Sequence, residues 1–170
     1  MQKKLFSFLL CSFISVANAI EYQSAEDFLQ QAFSNNPPKP KILWLNKKNQ
    51  AIVAEILQHK PGFLRTRYWQ TAEKSVWILN EIGKIKPITT AVVIKSQQIE
   101  QIKVLAFRES RGWEVKYDFF TKQFKQNTLD SNLRLSQPID GISGATLSVR
   151  ALTKTARLAL FFDSIISHEK

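Results

Sequence analysis

The sequence predicts an α+β fold, a single domain in which a mainly antiparallel sheet carries a C-terminal helix packed on it. Three observations point there. From Phe63 to Arg108, apolar and polar residues alternate with a two-residue period in runs separated by polar turns, which is the pattern of strands. From Leu147 to Ser167 the period becomes helical, with Val149, Leu152, Ala156, Ala159, Leu160 and Ile166 on one stripe. The chain has 170 residues, 44% hydrophobic and 22% charged, which is enough apolar material for one core and too little charge for a disordered chain.

Residues 1–19 read as a secretory leader. Lys3 and Lys4 form its basic start, Leu5–Val16 its apolar middle, and Ala17-Asn18-Ala19 a small-residue cleavage site. The middle is shorter than the roughly 20 apolar residues a membrane span needs. Cleavage after Ala19 and a periplasmic destination are therefore expected. Ser24 then caps a short helix with Glu26 and Asp27 in its first turn and Phe28, Leu29, Ala32 and Phe33 on its inner side. Asn35-Asn36-Pro37-Pro38-Lys39-Pro40 ends that helix, because prolines continue neither regular structure. Ile42–Leu45 is a short strand-like run, and Ala51–Gln58 fits a second helix. These pieces make residues 20–74 an N-terminal helical and strand extension.

FLRTRYW (Phe63–Trp69) alternates apolar with basic residues. It reads as a strand with one wet face, the alternative being a basic aromatic ligand surface. SVWILNEI (Ser75–Ile82) continues the strands. Ile88–Lys95, a polar turn at Ser96–Gln98 and Ile99–Arg108 read as a β-hairpin whose second arm is apolar on both sides, as in a strand covered on both faces. Glu114–Phe124 fits a helix or a bent aromatic segment, and Thr128–Ser136 a polar connection. In the last helix Arg150, Lys154 and Arg157 lie opposite the apolar stripe. Trp44, Trp69 and Trp77 are expected in the core.

Composition removes several function classes. The only cysteine is Cys11, inside the leader, so an exported chain has no disulfide, no thiolate nucleophile and no sulfur-ligated cluster. The formal charge is +10, but the positive residues are scattered and the leader points out of the cytoplasm. Nucleic acid is therefore not the expected partner. An anionic membrane surface, an acidic protein or a phosphate-bearing cofactor fits better. Two histidines, His59 and His168, make neither a zinc site nor a catalytic triad, and no GxGxxG or GxxxxGK[ST] loop is present.

Two stretches stand out. One is PIDGISGATLSV, Pro138–Val149, ahead of the last helix. Gly141 and Gly144 allow backbone amides to approach a ligand, and a helix start offers free N–H groups with a partial positive charge. On spacing alone Ser143, Thr146 or Ser148 reads as a helix cap, with a phosphate at Ser143 or Thr146 as the alternative. The other stretch is FRESRGWEV, Phe107–Val115, at the end of the hairpin.

DGISGATLS resembles the flavinylation motif D-x-x-[ST]-G-A-T of the FMN-binding domain family. That family includes the flavin-carrying subunits of sodium-pumping NADH:quinone oxidoreductases and related complexes. Asp140, Ser143, Gly144, Ala145 and Thr146 stand at the motif's defined positions, with Gly141 between them. Glu109-Ser110-Arg111-Gly112 is similar to the E-T-x-G-like turn that follows the family's hairpin. The likeness spans roughly Ser75–His168, so residues 75–168 are identified as the FMN-binding domain.

The resemblance implies covalent FMN, joined through a phosphoester to Thr146 by a separate flavin transferase that uses FAD and a metal ion. It implies that Asp140, Gly141, Ser143, Gly144, Ala145, Glu109, Ser110, Arg111 and Gly112 surround the cofactor. Arg108 or Arg111 would stabilise negative charge on a reduced flavin, and Trp113 would stack on the ring or else pack in the core. With no catalytic residues of its own, the chain is expected to be an electron carrier. It would exchange electrons with a membrane-bound or soluble redox partner protein. The alternatives are an FMN-dependent reductase of a small substrate and a flavin-free binding module.

Overall fold

The structure, a computed structural model, describes residues 20–168, and the leader read in residues 1–19 lies outside them. Its elements follow in chain order as β1 (Ile20–Glu21), α1 (Ala25–Ala32), β2 (Lys41–Trp44), α2 (Lys47–Leu57), β3 (Arg65–Gln70), β4 (Lys74–Ile82), β5 (Pro87–Lys95) and β6 (Gln98–Phe107). A short 3-10 turn (Trp113–Lys116), α3 (Asp118–Thr121), a second 3-10 turn (Lys122–Phe124) and the long α4 (Thr146–His168) complete it. All six strands join one sheet in the order β1-β6-β5-β4-β3-β2, every neighbouring pair antiparallel. The fold is α+β, with strands from both the N-terminal stretch and the later hairpin in the same sheet.

Local chemistry sets the boundaries. Ser24 caps α1 as expected, its Oγ accepting from the Asp27 amide at 3.0 Å. Asn46 caps α2 by accepting from the Asn49 amide at 2.8 Å, so α2 starts at Lys47, earlier than the apolar spacing from Ala51 indicates. The β5–β6 hairpin turns at Ser96 and Gln97, both at positive φ (52° and 60°), which matches the right-handed twist of the flanking strands. Gln97 also ties the hairpin to α4, donating through Nε2 to the Asp163 carboxylate and, at 3.0 Å, to Ser167 Oγ.

The two faces of the sheet are covered unequally. α4 lies along one face, where Leu152, Ala156, Ala159 and Phe162 pack with Trp77, Ile88, Val92 and Val104. Trp77 is fully buried, stacks on Tyr68 with ring centroids 4.9 Å apart, and donates from Nε1 to Ser75 Oγ at 2.8 Å. Deleting such a ring costs about 3–5 kcal/mol. On the other face α1 seats Phe28, Leu29 and Phe33 on Val76, Ala91, Val93 and Leu105.

Two sequence expectations change here, and two cations of α4 have partners. Trp44 is 63% exposed, because it shares a face with its cross-strand partner Arg65 and not with buried Leu43. Trp69 is only partly buried, at the margin of the α1 cluster. On α4, Lys154 and Arg157 are not fully in water. Lys154 Nζ reaches the buried Glu81 carboxylate at 3.4 Å, which His59 Nε2 also meets at 3.1 Å, and Arg157 Nε donates to the Leu133 carbonyl.

Candidate functional site

Three segments meet at one end of the sheet: the β4–β5 turn, the loop after β6, and the start of α4. Together they enclose a cleft of about 340 Å³ lined by Lys84, Glu109, Ser110, Arg111 and residues 144–148. The two stretches singled out in the sequence, some thirty residues apart along the chain, thus form opposite walls of one site.

The first wall is held by Glu109. Its Oε1 accepts three backbone amides of the β4–β5 turn, Lys84 at 2.5 Å, Ile85 at 2.6 Å and Lys86 at 2.8 Å. Burial alone pushes the Glu109 carboxyl up. The bonds from Ile85, Lys86 and Lys84, with the Lys84 charge, outweigh it and hold the group below its ordinary 4.5. Glu109 is therefore a fixed carboxylate, and its negative charge is already occupied. Lys84, whose backbone it fixes, presents its own side to the cleft.

The second wall is the beginning of α4. Gly144 stands at φ +80°, a conformation that strains any residue with a Cβ. Ala145 is buried (2% exposed) in the main core, its amide donating to the Ile142 carbonyl at 3.0 Å and its carbonyl accepting the first helical bond from Val149 at 2.9 Å. Ala145 is thus the N-cap, and it has no side-chain oxygen. Neither Ser143, Thr146 nor Ser148 accepts from a first-turn amide, so the helix-cap reading of these hydroxyls is not what the structure shows. The amides of Thr146, Leu147 and Ser148 find no acceptor among the described residues. With Ala145 anchored inward, Thr146 and Leu147 are turned outward and exposed at the cleft.

Gly112 locks the walls together. It sits at φ +85°, and a Cβ there would lie 2.4 Å from Ser148 Oγ and 3.4 Å from Ala145 Cα. Ser148, 4% exposed, packs into that space. Gly112 thus borders the site without lining it.

The remaining residues named in the sequence fall around this centre. Asp140, Gly141 and Ser143 are exposed on the approach to α4, outside the cleft lining, and the Asp140 amide donates to Gln123 Oε1 at 2.7 Å. Of the two arginines, Arg111 lines the cleft. Arg108 instead donates to the Pro87 carbonyl at 3.2 Å and to Thr89 Oγ1 at 2.8 Å on β5. Trp113 is 43% exposed and meets Tyr117 edge-on at 5.7 Å, so it is not a core residue and does not line the cleft. Sequence reasoning missed Lys84 and Leu147. Lys84 was readable only as a turn cation, since nothing along the chain announces that the β4–β5 turn closes against Glu109.

The donor set suits an anionic, partly apolar ligand: three free amides at the positive end of a 23-residue helix, two cationic side chains, and the Leu147 side chain beside them. Residues 83–160 match the FMN-binding domain family. This stretch is similar to an FMN-binding domain. Every residue lining the cleft falls within the matched range, and the match supports a flavin-binding protein. No curated protein matches the chain.

Proposed function

We propose that the chain is a periplasmic flavoprotein electron carrier. In this reading FMN is held covalently through a phosphoester on Thr146 and relays electrons to or from a membrane-bound redox partner. The observation that carries it is the state of the α4 start: Thr146 exposed on an uncapped helix terminus, with the free amides of residues 146–148 beside its hydroxyl.

FMN supplies reversible one- and two-electron chemistry when bound. What this chain supplies is a place for it. The phosphate charge suits the open amides and helix dipole, with Lys84 and Arg111 adding cations. A volume near the lower end of the roughly 300–1,000 Å³ of ligand pockets suits a cofactor only partly enclosed, with an edge left for electron exchange. Leu147, 42% exposed, offers an apolar surface to a flat ring.

Thr146 is not self-activating. Among the described residues no histidine or carboxylate bonds its hydroxyl, and a neutral hydroxyl is a weak nucleophile. Maturation therefore falls to a flavin transferase. The Thr146 oxygen attacks the FMN-side phosphorus of FAD, the P–O–P bond breaks, AMP leaves, and the hydroxyl proton passes to the transferase. The test is the intact mass of the chain after co-expression with such a transferase and denaturation. A gain equal to FMN less water, absent from Thr146→Ala, is expected, and an unmodified mass for each of the two proteins overturns the covalent reading. Slow and unselective turnover with small acceptors is expected of a carrier, and saturable turnover of one metabolite is the result that assigns a reductase.

A further inference from the structure

The sheet face opposite α4 is only half covered. α1 has eight residues, and a helix about 10 Å across spans about two strands spaced at about 4.8 Å. It shields β4–β6 through Val76, Ala91, Val93 and Leu105 and leaves the outer strands open. Cross-strand pairing puts Ile42 with Arg67 and Trp44 with Arg65 on this open half, and strand alternation adds Asn80 and Ile82. Ile42, Trp44 and Ile82 are 48%, 63% and 54% exposed. The Arg65 guanidinium stands over the Trp44 ring at 5.2 Å from its centroid.

The charge pattern names the occupant. From β2 to β5 this face carries arginine, lysine, isoleucine and tryptophan but no carboxylate, while the carboxylates Glu26 and Asp27 stand on α1 over the covered half. A surface of one sign fits a target that is uniformly negative. Arginine forks match phosphate oxygens, a tryptophan ring settles at headgroup depth, and exposed isoleucines give shallow apolar anchors. We infer that this open half of the sheet is a docking surface for the phosphate headgroups of an anionic bilayer. No described helix is long and apolar enough to cross a membrane. The face ends at Ile82, at the entry to the β4–β5 turn, so a chain seated on it holds the cleft close to the bilayer. The inference stands apart from the flavin assignment and fails separately.

The experiment is co-sedimentation of the full chain with phosphatidylglycerol-containing and pure phosphatidylcholine vesicles, at low and high salt. Binding to the anionic vesicles that weakens as salt rises is expected. The double variant Arg65→Glu/Arg67→Glu should lose about tenfold or more in partitioning, and Trp44→Ser about threefold with the salt dependence kept. Lys122→Glu/Lys125→Glu, the same charge change beside β6, serves as the control and should lose much less. Circular dichroism of each variant guards against misfolding. Equal loss in both double variants would mean attraction by net charge alone and overturn the inference. Binding that all variants retain would place attachment elsewhere on the chain. Absence of binding to either vesicle would leave this face to a protein partner, and both outcomes likewise overturn it.

Discussion

The two walls of the cleft solve the same problem in opposite ways. Each presents three successive backbone amides to one point. On the β4–β5 turn, the amides of Lys84, Ile85 and Lys86 are filled from within by the Glu109 carboxylate. At the start of α4, those of Thr146, Leu147 and Ser148 are left open, with an alanine where a capping oxygen would stand. A filled nest is structural, because its charge is spent on holding a turn. An open one in the same cleft, beside an exposed hydroxyl, is where a ligand's negative charge belongs.

The sharpest way to break this contrast is to remove the hydroxyl on the open side. Thr146→Ala should abolish the covalent flavin adduct entirely and leave the melting temperature nearly unchanged, since the side chain is exposed. Ser143→Ala and Ser148→Ala should keep the adduct. Intact mass after denaturation separates the three, and an adduct surviving in Thr146→Ala would move the attachment elsewhere.

On the filled side the effect should be on stability. Glu109→Gln keeps an acceptor but loses the charge, and should cost about 1–2 kcal/mol at neutral pH, read by chemical denaturation. The sign follows from the depressed pKa. A carboxyl held below 4.5 contributes its full stabilisation above that value and loses it as pH falls through the lower folded-state value. The difference between wild type and Glu109→Gln should therefore shrink below about pH 4.5 and be unchanged between pH 6 and 8. A difference that grows in acid would mean that Glu109 is protonated in the fold.

How much of this was legible in the sequence follows the range of the forces. Helix caps at Ser24, the hairpin turn at Ser96–Gln97 and the buried stripe of α4 are local and readable. The exposure of Trp44 was not, because it depends on α1 stopping short of β2 and of the Arg65 end of β3. The cleft was half legible. Motif spacing marked Thr146 and the loop Glu109–Gly112, but their meeting is a tertiary fact. The helix-cap reading of the hydroxyls went wrong because Ala145 is drawn into the core, which places the N-cap on a residue that cannot cap.

A further substitution, with an effect of similar size that a second change should partly undo, tests how the walls are joined. Gly112→Ala adds a methyl group at positive φ against Ser148, and should destabilise by about 1–2 kcal/mol through strain and overpacking. The clash is with a hydroxyl that rotation or truncation can relieve, whereas the strain at φ +85° is intrinsic to the backbone. Gly112→Ala with Ser148→Ala should therefore recover only part of the loss, and denaturation of the four proteins of this cycle measures the part. Full recovery would mean that the loop tolerates a side chain at this φ and that steric contact alone sets its distance from α4. No recovery would mean that the loop moves away from α4. In that event flavin attachment, which needs only Thr146, should persist, while the environment of the bound flavin, read by its absorbance and fluorescence, should change.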